Sequence, residues 1–429
     1  EKYTAIWGGG LRYCSEIPND CIDVKVHAYD LAAEAGAYMP LPIEIDAAFE
    51  MAVTSGRGGL GQVFVWSSGN GGEGEERSDY EELVSTRYSI AVGAIGPDFH
   101  RLSISEPGSS VDCVAPGSHL VTATRVTRLC PLCDPPPYIP SYGSCEIDSA
   151  KGTSYAAPHV GGVVALMEQA NPNLAWRDVM EAIVQTAATI DPGPGWKANQ
   201  AGFDHSYEYG HGLIDAYEAV SFVTGTNGYP AWEPLLGERE IDLPLAPNSV
   251  QIAPGQTRTL TVEATANMRI EHVELLMNIT TAGAPGIGPL RIWIDREWPS
   301  FIDGPQLLTR STFTEPRADP SSSYDDALFT SVRHWGETGT ATWNVYVRNT
   351  STGNDPVTAT WNAAELRFYG TPICIADWNL NGVGSEQADW NDYLALYNAQ
   401  DPLADLTGDR IVDGSDLAEF VGQFAAGCP

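Results

Sequence analysis

Lysine is nearly missing from this chain. Only Lys2, Lys25, Lys151 and Lys197 occur, and the 23 basic side chains face 56 acidic ones, for a net charge of -33. So acidic a surface repels nucleic acid and anionic membranes, whereas it suits cationic partners such as Ca²⁺ or basic peptides. It reads equally as a solvated face adapted to salt. No run approaches the roughly 18 apolar residues of a membrane span, so no membrane-crossing helix is expected. Zinc is poorly served as well. Cys130 and Cys133 form a CPLC pair with Cys145 nearby, but no fourth Cys or His sits at ligand spacing. The eight cysteines, even in number and set among Gly- and Pro-rich loops, favour disulfides and an oxidising compartment instead.

Length and an apolar content of 43% call for several domains. Residues 46 to 224 alternate strand-like and helix-like patterns. Asp46–Thr54 reads as a helix, Gln62–Trp66 as an apolar strand ending at SSGNGG, Ser89–Gly93 as a strand and Ser154–Gln169 as a buried helix. Asn173–Thr186 reads as an amphipathic helix capped at its N-terminus by Asn173. Such alternation implies an α/β unit, a mainly parallel sheet with helices on both faces and an active site at the strand C-terminal ends. Pro-rich text at 227–247 reads as a linker. The segments TRTLTVEATA, HVELLMNIT, PLRIWID, ATWNVYVRN and AELRFYG then predict an all-β sandwich over 248–371. Residues 374–428 hold two related halves, beginning at Asp377 and Asp405, each an oxygen-rich loop followed by a helix.

The stretch KGTSYAAPHVGG, Lys151–Gly162, leads Ser154 from a Gly turn into a helix. That placement exposes the hydroxyl and a backbone N–H at the positive end of the helix dipole. Ala156, Ala157, Gly161 and Gly162 allow close packing of that helix. A Ser in such a turn is by itself as readily a helix cap.

GTSYAAPHVGG resembles the nucleophile motif of the subtilisin-like serine proteases. NPNLAWRDVMEAIVQTA (171–187) and GRGGLGQVFVWSSGNGG (56–72) resemble the kexin and furin branch. The resemblance implies a subtilisin-like peptidase domain over 1–226, with Ser154 as nucleophile and Asn70 supplying the side-chain amide of the oxyanion hole. It also demands a DTG-type Asp and an HGT-type His upstream of Asn70, and neither motif occurs. His27, His159 and His211 make no convincing base; packing is the expected role of His159 and a structural role that of His211. The chain opens with Glu1 rather than Met, so the expected arrangement begins inside the peptidase domain, downstream of its Asp and His. Alone, it is then expected to be inactive.

Kexin-like enzymes cut after basic residues, which implies acidic pocket residues here. Asp79 or Glu81 occupies the corresponding region, although both equally fit a solvated acidic loop. Residues 334–370 resemble the closing strands of a P (Homo B) domain, a jelly-roll sandwich. The tail resembles dockerin-like, EF-hand-type repeats, which implies Ca²⁺ as cofactor and a cohesin-like or cell-surface partner.

Twelve-residue calcium loops take oxygens from positions 1, 3, 5, 7, 9 and 12. The second loop offers Asp405, Thr407, Asp409, the Ile411 carbonyl, Asp413 and Asp416, with Arg410 where Gly usually turns. The first offers Asp377, Asn379, Asn381, the Val383 carbonyl and Ser385; Ala388 falls at position 12 and Asp389 one residue late. The expected protein is a secreted serine endopeptidase acting on peptides or proteins. The alternative is a non-catalytic extracellular binding or scaffold-attached protein with an eroded peptidase fold.

Overall fold

The computed structural model describes residues 23–28, 36–123, 144–191, 195–246, 249–297, 309–317, 319–352, 356–380, 384–407 and 411–427. Asn381, Val383, Asp409, Arg410, Cys130 and Cys133 lie outside them.

In chain order the first unit contains β1 (Val24–His27), α1 (Ile43–Ser55), β2 (Val63–Ser67), α2 (Glu82–Ser85), β3 (Ser89–Ile95) and β4 (Val111–Pro116). It continues with β5 (Ser118–Ala123), β6 (Ser144–Lys151), α3 (Thr153–Ala170) and α4 (Trp176–Thr186). A two-strand hairpin, β7 (Lys197–Ala198) and β8 (Asp204–His205), and α5 (Ala216–Thr224) complete it. β1 to β4 form a parallel sheet in sequential order.

β2 and β3 are buried along their whole length because helices cover both faces. Phe49 of α1 meets Phe64 edge-on at 4.8 Å on one face. On the other, α3 passes so near β1 that a Cβ on Gly161 would collide with Val26. The α/β expectation therefore holds. Asn173 does not cap α4, however. The helix starts at Trp176, and Asp178 folds back to accept the Ala175 N–H at 2.8 Å.

Antiparallel strands follow: β9 (Arg239–Leu245), β10 (Val250–Ile252), β11 (Thr257–Ala264), β12 (Met268–Ala282), β13 (Leu290–Glu297), β14 (Thr309–Thr314), β15 (Ser323–Ser331), β16 (Ala341–Asn349) and β17 (Thr358–Pro372). One sheet runs β10-β17-β12-β15 with β9 on β17, the other β11-β16-β13-β14. Alternate residues face a shared core, as Trp343, Val345 and Val347 of β16 do alongside Val273 and Leu275 of β12. β9 corrects the linker reading of 227–247. Ile241, Leu243 and Leu245 alternate with Glu240, Asp242 and Pro244, and Pro244 is tolerated because, among the described strands, β9 pairs with β17 alone and stands at the sheet edge.

The two units share buried polar contacts. Arg177 of α4 donates from Nε (2.8 Å) and Nη2 (2.5 Å) to the fully buried Glu271 of β12. Arg269 pairs with Glu181, which also accepts the Trp335 indole N–H at 2.7 Å, and Trp335 lies within the core of the first unit.

The tail packs α6 (Gln387–Ala399) against α7 (Gly414–Ala426) around Trp378, Tyr393 and Phe420. It joins the sandwich through Asn267, whose Nδ2 donates to Asp377 at 2.8 Å. Cys374 is disulfide-bonded, whereas Cys113 is free and buried.

Candidate active site

β2 ends at Ser67, and the next residues turn sharply, with Gly69 at φ +108°. A Cβ there would collide with the buried Glu106 carboxylate, and one on Gly71 with Glu76. Glu106 also accepts the Gly71 N–H at 2.8 Å. The loop carrying Asn70 is thus fixed by two glycines and a carboxylate.

α3 begins at the same place. The first N–H groups of a helix lack intrahelical partners. Asn70 supplies one acceptor: its Oδ1 takes the Thr153 N–H at 2.9 Å and the Thr153 hydroxyl at 3.2 Å. The same hydroxyl lies 3.2 Å from the Gly69 carbonyl. With the oxygen of its amide turned to Thr153, Asn70 has its NH₂ as the donating end. Ser154, next along the helix, is half-buried, and neither its hydroxyl nor its N–H makes a hydrogen bond among the described residues. Gly152 completes the turn, where a Cβ would lie 3.2 Å from Asn70 Oδ1. Asn70 and Thr153, 83 positions apart, thus meet at the C-terminal end of the parallel sheet, one residue before Ser154.

Among the described residues no histidine hydrogen-bonds Ser154. His159, expected to pack, is instead exposed, with Nδ1 donating to the Tyr155 carbonyl at 2.8 Å. His27 stacks on Trp66 at 4.3 Å, and burial, reinforced by Lys25, pushes its pKa down to about 3. His211 lies between the units, within reach of the Asp204 and Val332 carbonyls, and burial lowers it to about 4.

Asp79 is engaged with internal partners rather than set in an open acidic loop. It is fully buried, paired with Arg77 at 2.8 Å, and accepts the Ser109 N–H and hydroxyl at 2.9 and 2.7 Å. Arg77 in turn donates to the Thr312 carbonyl of β14. An acidic side chain on a polar loop gave no sign in the sequence that a second unit would cover it. Glu81, 5% exposed, lines a small cavity with Glu76 and Glu106 beside the Asn70 loop. Glu76 and Glu106 were missed. The glycines they crowd were the only available signal.

Residues 22–212 match the subtilase family, Peptidase_S8. The relatives extend that likeness. Human proprotein convertase subtilisin/kexin type 7 is 29% identical over 309 residues, 71% of this chain and 37% of that protein. Kexin of Saccharomyces cerevisiae is 28% identical over 354 residues, 80% of this chain and 39% of its own length. The chain thus spans about two-fifths of the length of these relatives. The crystal structure of a serine protease of Aeromonas sobria superposes with a TM-score of 0.64 at 18% identity, covering 81% of this chain and 71% of that one. At that identity the likeness shows a shared fold. The first unit is thus similar to the subtilases, and the chain is similar to proprotein convertases and kexin over most of its length.

In the tail, Asp416 is buried and accepts the Leu406, Thr407 and Asp413 N–H groups at 2.9, 3.0 and 2.8 Å. Asp389 does the same for Asn379 and Glu386 at 3.1 and 3.0 Å. Asp389 is therefore the counterpart of Asp416, in place of Ala388, the position-12 residue by count. Asp413 caps α7 through the Ser415 N–H at 2.7 Å. Among the described residues no group of three or more His, Cys, Asp or Glu side chains is placed to hold a metal. None of the described helices is long and apolar enough to cross a membrane.

Proposed function

We propose that this chain carries the nucleophile and oxyanion half of a subtilisin-like serine endopeptidase. The observation that carries the reading is the contact of Asn70 Oδ1 with Thr153, the residue that precedes Ser154 at the start of the helix. In this reading the Ser154 hydroxyl attacks a peptide carbonyl, and the Asn70 amide and the Ser154 N–H receive the oxyanion. The acyl-enzyme is then hydrolysed. The base that takes the Ser154 proton comes from outside the described residues.

Glu81 supports a preference for basic residues, since a buried carboxylate recognises an Arg or Lys side chain by charge-assisted bonding. The β-sandwich serves as a P-type domain bracing the peptidase unit, as its buried ion pairs suggest. Calcium is held in the tail by Asp405, Thr407, Ile411, Asp413 and Asp416, with Asp409 from outside the described residues. These are oxygen donors of the kind a hard cation takes. Asp377, Asn379 and Ser385, with Asn381 and Val383, form the weaker first loop. The disulfide at Cys374 supports secretion, and the tail is the part expected to engage a cohesin-like or cell-surface partner.

The lack of a histidine at Ser154 among the described residues favours one rival, a non-catalytic binding protein. Fluorophosphonate labelling separates the two. Capture of the probe at Ser154 by the longest product of the gene supports the peptidase, and a folded product that never labels supports the rival.

A further inference from the structure

Between the two units, away from Ser154, lies a cleft of about 450 Å³. Its floor is the outer face of the sheet holding β12, β15 and β17; its walls come from α1, α2 and the residues after α2. Three polar side chains on this cleft make no hydrogen bond or ion pair among the described residues. The Ser85 and Thr330 hydroxyls are buried without a hydrogen bond. Glu274, 4% exposed, makes neither a hydrogen bond nor an ion pair. Glu274 and Thr330 stand directly opposite each other on β12 and β15.

The other charges on the cleft are already engaged or lie at its margin. Glu82 accepts from Tyr38, Leu41 and Leu328. Arg87 donates to Glu238 and is sandwiched between the Tyr88 and Tyr369 rings at 4.2 and 4.1 Å. Arg367 bonds Glu365, and Asp326 bonds Asn278. Asp46 is exposed. Four carboxylates against two guanidiniums leave an excess of negative charge. Unmet buried polar groups are costly, and three on one cavity point to a missing occupant.

We propose that this cleft binds a primary ammonium group on a short alkyl chain, its nitrogen seated among Glu274, Thr330 and Ser85. An ammonium has three N–H donors, which matches three waiting acceptors. Calcium wants six to eight oxygens, far more than are free here. The volume exceeds the roughly 30 Å³ share of one water many times over. Leu276, Leu328 and Ile43 offer the excess to methylene groups. The shared chemistry fits a free alkylamine or a lysine side chain of a peptide. Since the occupant touches both units, binding tightens their association. None of this depends on Ser154.

The test uses the intact chain and n-butylammonium chloride, with tetramethylammonium chloride at equal ionic strength as the cation that cannot donate. Saturation-transfer NMR and thermal melting should both report butylammonium binding and no tetramethylammonium effect. Glu274→Gln, which removes charge from a group with no hydrogen bond or ion pair to lose, should melt close to the unliganded parent and bind about 10-fold or more weakly. Thr330→Val should weaken binding several-fold. Burial pushes Glu274 up to about 7, with Arg87 and Arg367 opposing and Glu240 and Glu238 adding, so parental affinity should rise from pH 6 to pH 8 and that of Glu274→Gln should not. A lysine tripeptide that binds more tightly than butylamine identifies a peptide source, and equal affinities a free amine. Binding unchanged in Glu274→Gln, or no transfer to butylammonium, would overturn the proposal and leave a cleft that holds water alone.

Discussion

The Thr153 N–H donates to Asn70 Oδ1 at 2.9 Å across 83 positions of sequence. That bond fixes the oxygen end of the amide at the start of the helix, and in the proposed peptidase the nitrogen end serves the oxyanion formed at Ser154. Asn70→Ala therefore removes a donor without touching the nucleophile. In an active form of the protein it should slow acylation by about 10²–10³, a magnitude measured in subtilisin and carried over here. Stopped-flow hydrolysis of an activated ester checks it, and an unchanged rate would mean that Asn70 is not at the oxyanion.

Arg177→Met should be costly. It leaves Glu271 buried and uncompensated between the two units, which destabilises by about 3–5 kcal/mol. The double variant Arg177→Met, Glu271→Leu should recover much of the loss, because the stranded charge is then gone. Guanidinium denaturation of parent and both variants measures this; a single variant as stable as the parent would show the pair to be idle.

Two buried groups give the stability opposite pH slopes. Burial pushes the Asp112 carboxyl up to about 8, partly opposed by the Ala91 N–H it accepts, from an ordinary 3.8. The folded chain thus holds a proton that the unfolded chain releases, and stability falls as pH rises from about 4 to about 8, by at most about 1.4 kcal/mol per unit. His211 is depressed from 6.5 to about 4 by burial, so its contribution is lost as pH falls across that window. Melting temperatures at pH 5 and 8 should show Asp112→Asn gaining on the parent at the higher pH. An equal gap at both would refute the assignment.

Much of the first unit was legible because its strands are continuous apolar runs closed by glycine. VFVWS before SSGNGG left little choice. β9 was hidden because Pro-rich text masks a period of two, and only pairing with β17 reveals it. The Asn70–Thr153 contact and the burial of Asp79 are long-range facts. Local pattern carries no trace of which loop another domain will cover. The alignment of Asp389 with Asp416 likewise emerges only when both are seen bonding loop N–H groups at a helix start.

Calcium should order the tail. Adding it to the calcium-free chain should raise the melting temperature and the helical circular dichroism, and EDTA should reverse both. Asp405→Ala should abolish most of the response. No change on titration would remove calcium from the account.

The most direct test of the account is the chemistry of one hydroxyl. The longest product of the gene is treated with a fluorophosphonate, and the labelled peptide is located by mass spectrometry. The account predicts modification at Ser154, lost in Ser154→Ala and slowed in Asn70→Ala. A folded protein that takes no label, or takes it elsewhere, would contradict it.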